Sequence, residues 1–109
     1  MINLNLNLLQ ETLEILSTIN KSPQDVEWCG SRTGGYFTWD HFAKIANVEY
    51  NNDYGSQEVC YDLVVVGKDW WLERHEYDGS EWWEYKQLPV RPAKEILANS
   101  VLGSKMFEN

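Results

Sequence analysis

Two cysteines, three prolines and nine basic residues are all that this 109-residue chain holds of those types. Each scarcity excludes something. Cys29 and Cys60 make no CxxC pair and no regular framework, so a disulfide scaffold is excluded and a reducing cytoplasm is the expected setting. Nine Lys and Arg against seventeen Asp and Glu give a net charge of −8, and no basic stripe exists to neutralise phosphates. Direct binding of DNA or RNA is therefore not expected. No apolar run approaches a membrane span, and the N-terminus has no basic stretch leading into a signal-length apolar segment.

What is present is aromatic and acidic. Apolar residues make up 43% of the chain and six are tryptophan, enough for one real core, so residues 1–109 are read as a single α+β domain. Between Glu49 and Glu84, ten carboxylates face only Lys68 and Arg74, while the remainder is balanced at seven of each sign. That segment carries the whole net charge. Such a field repels nucleic acid and steers basic partners, or else simply solubilises the surface.

The organising stretch is Glu58 to Lys86, read as a three-stranded antiparallel meander whose core runs over residues 58–88. Asp78-Gly79 is the strongest short hairpin signal, since a type I′ turn needs two residues at positive φ. A two-residue loop there sets Tyr77 opposite Ser80, Arg74 opposite Trp83, Leu72 opposite Tyr85 and His75 opposite Trp82. Lys68-Asp69 at the earlier tip sets Val65 opposite Leu72. Alternation then gives one apolar face with Val59, Tyr61, Leu63, Val65, Trp70, Leu72, Arg74, Trp83 and Tyr85. The other face carries Glu58, Cys60, Asp62, Val64, Val66, Trp71, Glu73, His75, Tyr77, Trp82, Glu84 and Lys86. A three-residue loop at Asp78 would exchange Trp82 and Trp83.

Around the meander, apolar spacing from Ile2 to Ile19 predicts a helix over residues 1–20, capped by Asn3 or Asn5 and ended by Ser22-Pro23. The alternation from Ile2 to Leu8 also suits a strand at its start. Val26 to Ser31 and Tyr36 to Thr38 read as a hairpin around two glycines. Thr38 caps a short helix, Trp39 to Ala46, with Phe42, Ile45 and Ala46 inward. Residues 50–56 form a polar loop bearing Asp53 and Tyr54. Pro92 opens a C-terminal helix reaching Ala98 or Val101, and residues 104–109 are expected to fray.

Catalytic and metal constellations are weak. Cys29, His41, Cys60 and His75 match no zinc spacing, and no cysteine–histidine pair is aligned for nucleophilic attack. The loop Arg32-Thr33-Gly34-Gly35 lacks the lysine and hydroxyl of a phosphate cradle. Glu73 facing Glu84 across the hairpin is a like-charge pair, in which a raised carboxylate pKa would suit acid–base chemistry. Without a pocket, it reads better as a rim pair or as a socket for a partner's Arg or Lys. Arg74 opposite Trp83 reads as an internal cation–π contact. The chain is thus taken as non-enzymatic, with no cofactor and no metal.

The second sheet face has two readings. It is a further core layer under the N-terminal helix or a dimer partner, or it is an exposed aromatic and acidic recognition face. With its WWLERHEYDGSEWWEY hairpin, its short single domain and the carboxylates of residues 49–84, the chain resembles the small acidic proteins carried by phages and mobile elements. Anti-CRISPR and other anti-defence inhibitors are found among these. The resemblance implies a stoichiometric inhibitor in the cytoplasm of an infected or element-carrying bacterium. It would fill the basic nucleic-acid channel of a host effector, with carboxylates in place of phosphates. The expected anchors are Trp71, Tyr77 and Trp82, beside His75, Asp53 and Tyr54, with Asp62, Glu73, Glu76, Glu81 and Glu84 meeting basic side chains. A homodimer through the same face, or a small enzyme or ligand-binding fold with a pocket near His75, Tyr54 and Cys60, are the alternatives.

Overall fold

The computed structural model describes residues 5–52 and 55–104. In chain order these form β1 (Asn5–Asn7), α1 (Leu8–Thr18), a 3₁₀ turn (Pro23–Asp25), β2 (Trp28–Ser31), β3 (Gly35–Phe37), α2 (Trp39–Ile45), β4 (Glu49–Asn51), β5 (Val64–Val66), β6 (Trp70–Tyr77) and β7 (Ser80–Gln87). The fold is α+β. Five strands make an antiparallel sheet in the order β3-β2-β5-β6-β7, and β1 pairs with β4 apart from it.

The sheet is built on two tight turns. Asp78 (φ 54°) and Gly79 (φ 86°) both lie in the left-handed region, as a type I′ turn requires. The loop therefore has two residues, and Arg74 faces Trp83 while His75 faces Trp82. At the other tip the Gly67 amide donates to the Trp70 carbonyl at 2.9 Å, which sets Val65 opposite Leu72. Gly67 is required there because a Cβ would fall 2.1 Å from the Trp70 indole. The β2–β3 hairpin adds to the same sheet, since Cys29 pairs with Val65.

α1 begins at Leu8, not at residue 1. Asn7 caps it, its side chain accepting from the Gln10 amide at 3.0 Å; of the expected caps, Asn3 is outside the described residues and Asn5 is in β1. The alternating pattern wins at the start because Asn5–Asn7 has a strand to pair with, Leu6 facing Tyr50. At the far end Asn20 takes φ 63°. The Lys21 amide then reaches the Leu16 carbonyl at 2.8 Å and the Asn20 amide reaches Ser17 at 3.0 Å, a Schellman closure that stops the helix before Ser22-Pro23. Leu8, Leu16 and Phe42 from the two helices, and Ala46 at the C-cap of α2, pack with Cys29, Val65, Leu72 and Trp83 of the sheet.

Three expectations are overturned. The meander's first strand is only Val64–Val66, inside a five-stranded sheet. Residues 58–63 form a loop, because the amides of Glu58 and Val59 bind the Glu81 carboxylate (2.8 and 3.3 Å) instead of a strand, and Tyr61 is exposed. Among the described residues no helix forms after Pro92: residues 88–104 are irregular and exposed. A helix of that length gains its stability from packing, and Val90, Leu97, Val101 and Leu102 touch no core. Ile45, expected inward on α2, is 53% exposed. Of the six residues expected to fray, 105–109 lie outside the described ones.

Candidate functional site

Alternation along β6 and β7 sends Leu72, Arg74, Glu81 and Trp83 toward the helices. Trp71, Glu73, His75, Tyr77, Trp82, Glu84 and Lys86 point the other way. α1 and α2 pack on the first face, where Trp83 Nε1 donates to Thr12 Oγ1 at 2.9 Å. The second face stays open: Trp71 is half-buried, Trp82 is 38% exposed and Tyr77 is 78% exposed.

Polar contacts fix the groups on this open face. Trp71 Nε1 donates to Glu73 Oε1 at 2.6 Å, and Trp82 Nε1 donates to Glu84 Oε2 at 3.3 Å. In each case an indole N–H pins the carboxylate two residues on, its same-face neighbour along the strand. His75 stands between the two carboxylates, with Nε2 at 2.7 Å from Glu73 and Nδ1 at 3.4 Å from Glu84. Arg32, from the β2–β3 turn, lies 3.3 Å from Glu73 with its guanidinium 5.3 Å from the Trp71 ring centroid. Lys86 lies 3.3 Å from Glu84.

These donors hold both carboxyls below the usual range. For Glu73 the Trp71 hydrogen bond contributes most, with His75 and Arg32 behind it. For Glu84 the Trp82 bond leads, followed by Lys86 and His75. The raised pKa that acid–base chemistry would need is thus contradicted, because a cross-strand carboxylate pair is tolerable once donors surround it.

The expected site residues separate. Trp71, Glu73, His75, Tyr77, Trp82 and Glu84 share the open face. Asp62 is exposed on the 58–63 loop and reaches that face's edge, lining a recess of about 260 Å³ with Arg32 and Glu73. Glu76 has the core-side parity; it is exposed at the hairpin end, where its carboxylate accepts from the Gly79 amide at 3.2 Å. Glu81 is 1% exposed and paired with Arg74 at 2.8 Å, so it is withdrawn from any partner surface. Asp53 and Tyr54 lie outside the described residues. Arg32 was missed, having no signal in the sequence beyond its place in a turn. With Arg32 and Lys86 opposing Glu73 and Glu84, the open face has no charge excess of its own.

Of the three residues expected around a pocket, His75, Tyr54 and Cys60, Tyr54 lies outside the described residues, and the other two lie apart. A groove of about 740 Å³ on the helix side is lined by Phe42, Ala46, Val48, Val59 and Cys60, with Glu49, Glu58 and Asp62 among its acidic lining. His75 lies on the opposite face of the sheet. Burial pushes the Cys29 thiol up to about 12. Among the described residues no group of three His, Cys, Asp or Glu is placed to hold a metal, and no helix is long and apolar enough to cross a membrane. The chain matches no protein-family model, and comparison with curated proteins and with solved structures returns no match.

Proposed function

We propose that this chain is a non-enzymatic binding protein that docks a basic protein surface on its open sheet face. Trp71, Tyr77 and Trp82 are the apolar anchors, and Glu73 and Glu84 receive Arg or Lys side chains of the partner. The observation that carries this reading is the pair of indoles left outside the helical layer, each fixing a carboxylate in place. Arg32 supports the choice of partner chemistry, since a guanidinium already rests on Trp71 and Glu73. Indole-rich faces with oriented charges have the character of binding hot spots.

In its sharper form the partner is a nucleic-acid-binding effector of a bacterial host and this chain is its inhibitor. The net charge of −8 favours encounter with such a partner. Anchoring by indoles is better supported than phosphate mimicry, because Glu81 is buried and Glu73 and Glu84 have basic neighbours.

The test compares capture from a bacterial host lysate by the native chain, by Trp82→Ala with Tyr77→Ala, and by Glu73→Lys with Glu84→Lys. Both altered proteins should keep the native circular dichroism and lose the captured protein, with loss growing as salt is raised for the native chain. Equal capture by all three proteins excludes the face.

A further inference from the structure

The groove on the helix side is a second surface, which shares Ser31 and Asp62 with the recess at the edge of the open sheet face. Its walls come from the β2–β3 hairpin, α2 and the 58–63 loop. Ile45 and Val48 sit exposed on it. Three carboxylates, Glu49, Glu58 and Asp62, line it, so an occupant has to be apolar and cationic together.

The chain carries such a segment. Residues 88–104 expose Val90, Leu97, Val101 and Leu102, with Leu97 at 91%. They hold Arg91 and Lys94 against Glu95 alone, a cationic stretch in a protein of net charge −8. Pro89 and Pro92 keep residues 88 and 91 extended, which lowers the entropy lost on docking. The segment leaves β7, at the sheet edge opposite β3. The radius of gyration is 17.6 Å and the longest extent 52 Å, whereas a compact chain of this length has a radius of about 13 Å. The tail therefore stands away from its own body.

We propose that the C-terminal segment of one copy lies in the groove of a second copy. Val90, Leu97 and Val101 fill the apolar trough between α2 and the 58–63 loop, and Arg91 and Lys94 meet Glu49, Glu58 and Asp62. Tail and groove belong to the same chain, so each copy offers both halves of the contact.

Light scattering over a range of concentrations, with the full chain and with a chain ending at Gln87, tests this. The truncation should spare the fold, because among the described residues every core residue precedes it. The full chain should weigh as a dimer and the truncated one as a monomer. A labelled peptide of residues 88–104 should bind the truncated protein, and Ile45→Glu should weaken it at least about tenfold. A peptide with Arg91→Glu and Lys94→Glu should lose binding and regain it on a Glu49→Lys, Asp62→Lys protein; circular dichroism checks that each variant folds. Absence of peptide binding, or equal binding by Ile45→Glu, overturns the groove. A full chain that stays monomeric overturns the second copy as occupant. A dimer that survives truncation but is lost in Trp82→Glu overturns the proposal in favour of pairing through the sheet face.

Discussion

Arg74 and Glu81, on facing strands of one hairpin, form an ion pair of 2.8 Å with both side chains wholly removed from solvent. The guanidinium also contacts Glu11 at 3.3 Å and the Tyr50 hydroxyl at 3.2 Å, and lies 4.8 Å from the Trp83 ring centroid. Glu81 binds the amides of Glu58 and Val59 with its remaining capacity. One carboxylate thus ties the hairpin to the loop that enters the sheet.

Removing one member of this pair strands a buried charge. Glu81→Leu should cost about 3–5 kcal/mol in urea unfolding. Adding Arg74→Met should recover part of that loss, since an apolar pair needs no compensation. Recovery will be incomplete because the loop amides stay unbound. A loss below about 1 kcal/mol for Glu81→Leu would show the site rehydrates.

Thr12 is fully buried and its hydroxyl has two partners: it donates to the Leu8 carbonyl at 2.7 Å and accepts from the Trp83 indole at 2.9 Å. Thr12→Val keeps the volume and leaves the indole N–H unpaired, at a cost of about 1–3 kcal/mol. Thr12→Ser keeps the hydroxyl and should lose only about 1 kcal/mol, the share of one methyl group. Equal losses in the two variants would mean that packing, not the hydrogen bond, matters there.

Gly67→Ala places a methyl group against the buried Trp70 indole, and overpacking of this kind costs about 1–3 kcal/mol. Gly34→Ala, whose added Cβ meets only Ser31 at 3.3 Å or more, is the control and should be far milder. Thermal unfolding followed by near-ultraviolet circular dichroism reads both.

Acid should weaken the fold partly through Glu73. Its folded carboxyl titrates below the ordinary value of 4.5, so the unfolded chain takes up the proton first as pH falls. The contribution is therefore complete above the ordinary range and is lost as pH drops through the folded value. Denaturant unfolding at steps between about pH 5 and pH 3 should show a smaller decline for Glu73→Gln than for the native chain. Parallel curves would refute the assignment.

Short-range chemistry made part of the fold legible. Asp78-Gly79 fixed the β6–β7 register, Thr38 marked the start of α2, and the glycines at 34 and 35 marked the β2–β3 turn. Long-range partners were not legible. Val59, Tyr61 and Leu63 alternate as a strand does, yet Glu81 takes the amides at 58 and 59. The spacing of Ile96, Leu97 and Val101 suits a helix, but among the described residues nothing buries Leu97 or Val101. Glu81 was readable in principle, because it shares the parity of Trp83 and lies diagonal to Arg74. By residue type alone it reads as a surface group, because carboxylates mostly are.

β7 is an edge strand eight residues long, so among the described residues one side of its backbone has no strand beside it. The Asn52 side chain closes this edge at Glu81, accepting from its amide at 2.7 Å and donating to its carbonyl at 3.0 Å; farther along, unpaired amides and carbonyls are a template for fibre growth. Glu84 and Lys86 interrupt that template with opposite charges on the outward-facing side. These two groups, on the same face as Trp71 and Trp82, thereby also guard the molecule against stacking edge to edge, and a neutral, β-branched pair in their place would make this strand a seed for aggregation.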